Sequence, residues 1–203
     1  MAVAAALTAE CRRAAIALWP QRPVAAMLSL ASNPRLTSTT SSAGRLFDAV
    51  SAIAGLCDEQ SDEAQAAMLL EAAGGDFADA SYEEDDFVVT QESGLNVLQV
   101  TALLQRLFAM RLECRTPQAI SMRFHAAFSA GMAKLAAECF PAGATVCLSG
   151  GTFLNRFVAA DLSRRLRQMG YRTYLPSLLP PGDGAISFGQ CAVARQRLDA
   201  ATH

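Results

Sequence analysis

The sequence predicts an α/β fold that is rich in helix and poor in strand, and three observations point there. Alanine-laden segments with apolar residues at helical spacing, separated by Pro and Gly breaks, fill the first two thirds of the 203 residues. Two short apolar runs rich in β-formers, 144–148 and 171–175, enclose one helical pattern and precede another, which is the layout of a β-α-β-α tail. Only one other segment, Phe87-Val88-Val89, reads as strand, so the sheet is too small to stand as a complete parallel layer. The chain reads as one unit over 1–203, a mainly helical body over 1–140 leading into the β-α-β-α tail over 141–203.

The elements follow in order. Residues 7–32 are helix-prone, with a break near Trp19-Pro20 and Pro23, and Asn33-Pro34 closes the second helix. The hydroxyl-rich Leu36–Ser42 has no periodicity and reads as either a solvated loop or a site-lining loop, with composition alone favouring the former. Over 44–56, Leu46, Phe47, Val50, Ile53 and Ala54 fall at helical spacing, with Ser42 as N-cap and Gly55 as stop. A helix over 63–73 ends at Gly74-Gly75, and Ala67, Leu70 and Ala73 form its apolar side. The acidic stretch 76–86 reads as a mobile surface loop, with Glu83–Asp86 fully solvated. Residues 96–110 read as helix, with Leu98, Leu103, Leu107 and Met110 supplying core. Thr116-Pro117 opens a long helix to about Cys139, with Pro in its first turn and a stripe of Ile120, Phe124, Phe128, Gly131 and Leu135. In the tail, the strand 144–148 is followed by a helix over 155–169, a stop at Gly170, the strand 171–175 and a closing helix over 185–198.

Composition narrows the function classes. The formal charge is -2 and Lys134 is the only lysine, so no basic stripe exists for nucleic acid. The chain is 52% hydrophobic with a mean hydropathy of +0.21, yet charged residues, Gln or Pro interrupt every candidate membrane span. The N-terminal MAVAAALTAE has no basic region and meets Glu10 too early for a secretory leader, so a cytoplasmic location is expected. The six cysteines contain no C-x-x-C pair and read as small buried hydrophobes. The two histidines, His125 and His203, are too few and too far apart to build a metal site.

Two turns carry the chemistry. Ser149-Gly150-Gly151 links a strand to a helix that starts near Asn155, and glycines there let backbone N–H groups approach an anion closely. A tight turn alone also accounts for both glycines, and Asn155 alone serves as an N-cap. The second turn, LPPGDGAISFGQ over 179–190, offers Asp183 between Gly182 and Gly184 at another helix start. Asp183 suits either a helix cap or a metal ligand, and a single carboxylate needs further ligands to hold Mg²⁺ or Fe²⁺. Asp48, on an amphipathic helix, is either a solvated helix residue or a ligand contact.

Three stretches, TSSAGRLFDAV (Thr40–Val50), LSGGTFLN (Leu148–Asn155) and LPPGDGAISFGQ (Leu179–Gln190), resemble motifs of the HypF carbamoyltransferases of [NiFe]-hydrogenase maturation. The family forms are similar to TSSAGRLFDAV, LSGGVFQN and PPNDGGLALGQ. EAQAAM (Glu63–Met68) also lies at the matching distance after the first. The resemblance runs from about Leu28 onward and concerns the C-terminal part of the family.

The resemblance implies a partial actin-like ATPase lobe of ribonuclease H-like type, with the nucleotide in a cleft between two lobes. It makes Asp48 similar to the aspartate that contacts the nucleoside, and Gly150, Gly151 and Asn155 similar to the turn and amide that hold the phosphates. Asp183 matches the carboxylate that ligates a metal. The implied cofactors are ATP and a divalent metal (Mg, Fe or Zn), the metal only with ligands from a lobe absent from these residues. The implied reaction makes a carbamoyl-adenylate from carbamoyl phosphate and ATP, then passes the carbamoyl group to the C-terminal cysteine of HypE.

The family's acylphosphatase-like, zinc-finger-like and YrdC-like domains do not occur in these 203 residues, nor does the histidine-bearing first lobe. Ala64 stands where the family pattern has glycine, which predicts crowding of a bound nucleoside. His125 is expected to pack in a core. The competing expectation is a truncated, non-catalytic partner of HypE, or of a complementary HypF piece, or of a second copy. A tRNA threonylcarbamoyl enzyme shares the architecture, but the GRLFDAV and PPGDG forms and the missing basic surface argue against it.

Overall fold

The computed structural model describes residues 1–8, 10–77 and 79–201. Backbone contacts divide the chain into two compact units, one ending at Pro141 and one starting at Ala142. His203 lies outside the described residues.

The first unit is mostly helical. Its N-terminal part is three short helices, α1 (Ala2–Thr8), α2 (Arg12–Leu18) and α3 (Val24–Ala31). Pro20 and Pro23 fall in the gap between α2 and α3, where the missing N–H groups and fixed φ forbid a continuous helix. Next comes α4 (Ala43–Ile53), capped by Ser42, whose hydroxyl accepts from the Arg45 N–H. The chain leaves α4 through Gly55, whose φ of +77° is left-handed and whose open α-carbon faces the Arg111 guanidinium. α5 (Gln65–Gly74) packs against α4 and against the long α7 (Pro117–Cys139), which Thr116 caps by accepting from the Ala119 N–H. On α5 Leu70 is buried as expected, with Ala66 and Gly74 buried in place of the half-buried Ala67 and Ala73.

The core of this unit is an aromatic cluster. Phe47 of α4 stands edge-on to Phe124 and Phe128 of α7, with ring centroids 4.8 and 5.3 Å apart. Val50, Ile53, Leu70 and Ile120 fill the space around it, each fully buried. Such pairs add about 0.5–1.5 kcal/mol beyond their buried area. The ring of His125 lies in the same cluster, against Phe47 and Phe77.

Two sequence expectations are corrected here. The segment 96–110 is not one helix. It is the second strand of a hairpin followed by α6 (Thr101–Leu112): β1 (Val88–Glu92) and β2 (Leu95–Gln99) pair antiparallel, Glu92 opposite Leu95. Ser93 and Gly94 both have left-handed φ, +50° and +80°, as a two-residue hairpin turn with the twist of its strands requires. The hairpin seats on α7 at Gly131, where an added Cβ would lie 3.0 Å from Leu98 and 3.2 Å from Phe87.

The acidic loop is also not wholly solvated. Asp86 ends a 3₁₀ turn (Glu84–Asp86) and is fully buried. Its Oδ2 accepts from the Glu83 N–H at 2.9 Å, its Oδ1 accepts from Arg123 Nη2 at 2.9 Å, and Arg106 Nε lies 3.4 Å away. The carboxylate therefore ties the loop to α6 and α7, while Glu83, Glu84 and Asp85 remain exposed.

The second unit is a small β-α-β-α arrangement. β3 (Thr145–Cys147) and β4 (Arg172–Tyr174) pair in parallel, linked by α8 (Arg156–Gln168), and α9 (Ile186–Ala201) closes the chain. Gly170, at φ +88°, ends α8. Val146 and Thr173 face inward and are buried, whereas Thr145, Cys147, Arg172 and Tyr174 share the opposite, exposed face. The cysteines are not core residues: Cys114, Cys139, Cys147 and Cys191 are exposed and Cys11 and Cys57 half-buried. Alternation along a three-residue strand turns Cys147 to the outer face beside exposed Thr145, which an apolar run in the sequence does not reveal.

Candidate functional site

In the second unit the structure brings together two motifs whose joining residues, Ser149 and Pro181, lie 32 residues apart in sequence. Gly150 has φ +108° and ψ +164°, a conformation essentially reserved for glycine. Its N–H donates to the Pro181 carbonyl at 2.6 Å, and the Ser149 hydroxyl donates to the same carbonyl at 3.2 Å. A Cβ placed on Gly182 would lie 3.6 Å from the α-carbon of Gly151, so the two glycine turns touch backbone to backbone. The Gly150 N–H is thus committed to holding the turns together. Gly151 and Thr152 open a 3₁₀ turn (Gly151–Leu154), where the leading N–H groups have no acceptor within the turn.

Asn155 follows that turn and is buried; its Oδ1 accepts from the Val158 N–H at 3.0 Å, which makes it the N-cap of α8. Asp183, beside Gly182, opens the 3₁₀ turn Asp183–Ala185. It is exposed, and among the described residues its carboxylate makes no hydrogen bond or ion pair. The cap position is Gly182 and takes no side-chain bond, so Asp183 is not acting as a helix cap. No cluster of three His, Cys, Asp or Glu side chains capable of holding a metal exists among the described residues. One carboxylate falls short of what Mg²⁺, Fe²⁺ or Zn²⁺ requires, so the residues present do not by themselves fit a metal.

Asp48 lies in the first unit. It is 7% exposed, on the buried side of α4 between Phe47 and Ala49. Arg45, one turn earlier, brings Nη1 to 3.2 Å from Oδ2, but Oδ2 receives no hydrogen bond among the described residues. A buried carboxylate oxygen without a donor is costly, and natural proteins retain few of them. A hollow of about 190 Å³ opens beside it, lined by Trp19, Arg22, Asp58 and Gln60 among others. Sequence reasoning passed over Arg45 and this hollow. The i, i+3 spacing of Arg45 and Asp48 was the available signal.

Ala64 precedes α5 with φ +59° and ψ +8°, left-handed and without a side-chain cap. The physical reason for glycine in the family pattern is therefore visible in the backbone itself: an L side chain there is strained by roughly 1–2 kcal/mol. His125 is fully buried, with Nδ1 2.8 Å from the Ser121 carbonyl oxygen and its ring among the phenylalanines. Burial pushes its pKa down to about 4, against a smaller upward pull from the Ser121 carbonyl. It is a core residue, neutral at physiological pH.

Residues 1–190 match the family model described as carbamoyltransferase, Kae1-like domain, second subdomain. The chain belongs to the HypF carbamoyltransferase family. It is similar to carbamoyltransferase HypF of Rhizobium leguminosarum bv. viciae, 37% identical over 190 residues, which is 88% of this chain and 23% of the relative. A carbamoyltransferase HypF homolog of Cupriavidus necator is 36% identical over 188 residues, 89% of this chain and 46% of that one. The chain therefore spans under half the length of these relatives. A crystal structure of full-length HypF in the phosphate- and nucleotide-bound form superposes with a TM-score of 0.78 at 28% identity, covering 97% of this chain and 26% of that one. The HypF of T. kodakarensis shares the fold, with a TM-score of 0.64. The helix-rich α/β class with few strands is the class of these HypF domains. Among the described residues no helix is long and apolar enough to cross a membrane.

Proposed function

We propose that this chain is the C-terminal segment of a HypF-type carbamoyltransferase of hydrogenase maturation, working in the cytoplasm, and that it forms part of an ATP and carbamoyl-adenylate cleft. The observation that carries this reading is Asp48: a buried carboxylate on the GRLFDAV helix with an oxygen that lacks a donor. Ribose hydroxyls are donors of the right kind, and a bond to a charged acceptor is about twice as strong as a neutral one. Within the second unit, the Gly151 and Gly182 turns, which meet each other, would supply phosphate-facing backbone, with Asn155 fixing the start of α8. Asp183 contributes one metal ligand, the remainder coming from outside this chain.

In this reading the chain positions and neutralises charge and contributes no nucleophile. The carbamoyl group passes from the adenylate to the C-terminal cysteine of HypE, forming a C–S bond as AMP leaves. Calorimetry with ATP and Mg²⁺ tests the cleft. Saturable heat that disappears in Asp48→Asn supports it. Incubation with HypE, carbamoyl phosphate and the complementary HypF domains, followed by mass spectrometry of HypE, tests transfer.

A second reading is favoured by Ala64 and by the isolated Asp183 carboxylate: a non-catalytic partner that docks onto HypE or a complementary HypF piece. Under it, ATP gives no saturable heat and HypE gains no carbamoyl mass at any composition.

A further inference from the structure

A strained residue covers the buried histidine of the first unit. Phe77 has φ +58°, a left-handed conformation that a bulky residue keeps only where its surroundings impose it. Its ring lies over Gly74, where an added Cβ would overlap it, and edge-on to His125, with ring centroids 4.9 Å apart. Gly75 is left-handed as well, at φ +68°, so two unusual backbone steps join the end of α5 to the ring. The Phe77 N–H reaches the Gly74 carbonyl only at 3.4 Å. Ring contact, more than hydrogen bonding, therefore holds this turn in place. Phe77 is half-buried and His125 beneath it fully buried, so the phenyl ring stands between the imidazole and water.

A polar chain runs under the ring from α5 to α7. The Ser121 hydroxyl donates to the Leu70 carbonyl and lies 3.2 Å from His125 Nδ1, which is 2.8 Å from the Ser121 carbonyl oxygen. A carbonyl accepts only, so Nδ1 carries the proton of the neutral ring and a second proton would go to Nε2. Glu71 of α5 is a carboxylate whose field reaches the imidazole, and Asp76 precedes Phe77 in the turn. α4 presents Phe47 to it, and Arg123 of α7 is bonded to Asp86.

We propose that Phe77 is a hinged plug, seated over His125 while the imidazole is neutral and displaced when it takes up a proton. Desolvation sets the direction. With the plug seated, burial holds the His125 pKa down to about 4; with it displaced, water reaches the ring and the ordinary 6.5 returns. The seated form loses ground as pH falls below 6.5, and the ratio of displaced to seated rises by up to about twentyfold from pH 7 to pH 5. The device needs no nucleotide, so it stands or falls apart from the cleft.

NMR of the imidazole nitrogens in the full chain tests it, with His125→Phe showing which of the two histidine signals belongs to His125. Gly74→Ala removes the seat, and Phe77→Ala removes the plug. Each should raise the titration midpoint of His125 above about pH 5. Hydrogen exchange supplies the second readout. In the parent chain the protection of amides 73–77 should fall by up to about twentyfold from pH 7 to pH 5, and in His125→Phe it should stay level. Phe77 is half-exposed, so Phe77→Ala should keep the circular dichroism of the parent and carries the test even where Gly74→Ala does not fold. A midpoint that stays near 4 in Phe77→Ala overturns the proposal, as does protection that falls equally in His125→Phe.

Discussion

Arg45 and Asp48 sit one turn apart on α4, Nη1 3.2 Å from Oδ2, in an ion pair that lacks the alignment of a hydrogen bond. Arg45 is more than half exposed, so its charge is largely shared with water, whereas Asp48 is buried. The carboxylate is paired without being hydrogen-bonded. Asp48→Asn should therefore leave the thermal midpoint almost unchanged while reducing ATP affinity at least about tenfold, equivalent to roughly 1.4 kcal/mol. Equal affinities by calorimetry would remove Asp48 from the nucleoside contact.

Asp86 is the opposite case, a buried carboxylate with every oxygen engaged. Breaking a buried pair from one side leaves the partner charge stranded. Asp86→Ala is expected to cost on the order of 3 kcal/mol in urea unfolding, because Arg123 loses its buried partner and keeps only Glu83 at 3.9 Å, while Arg106 keeps the exposed Asp85. Asp85→Ala, at an exposed position, should cost at most about 1 kcal/mol.

Ala64→Gly should stabilise the chain by roughly 1 kcal/mol, since the backbone there is left-handed and the residue is exposed. The corresponding rise in melting temperature is about 2–4 °C. If the same methyl crowds a nucleoside, ATP affinity rises in parallel. A stability gain with unchanged affinity confines the effect to the backbone.

His125 gives the fold a pH dependence of known sign. Its folded pKa of about 4 lies below the ordinary 6.5, so the unfolded chain binds a proton first. Its stabilising contribution is complete above about pH 6.5 and is lost progressively down to about pH 4, on the order of 3 kcal/mol in all. In His125→Phe that part of the slope between pH 4 and 6.5 should be missing when unfolding is followed against pH.

Helix starts and stops were legible because they depend on neighbours in sequence. Ser42, Thr116 and Asn155 each cap the helix that follows, and Gly55 and Gly170 end helices through a left-handed φ. The β1–β2 hairpin was missed because Leu98 falls at helical spacing from residues of α6, although its strand is already paired before that helix begins. The Ser93-Gly94 pair is the local signal of the turn, and the sequence reading passed over it. Asp86 was misjudged for another reason: nothing near it in sequence announces Arg106 and Arg123, which reach it from 20 and 37 residues away.

By itself the chain's sequence determined the helix-rich α/β class, the β-α-β-α tail and the residues that carry the family motifs, because these rest on local backbone preferences and on residue identity. Tertiary structure alone decided that Asp48 is buried without a donor, that the Gly151 and Gly182 turns meet, and that Cys147 faces outward. Those outcomes depend on which distant groups fill the space around a side chain, and packing, not spacing along the chain, sets that.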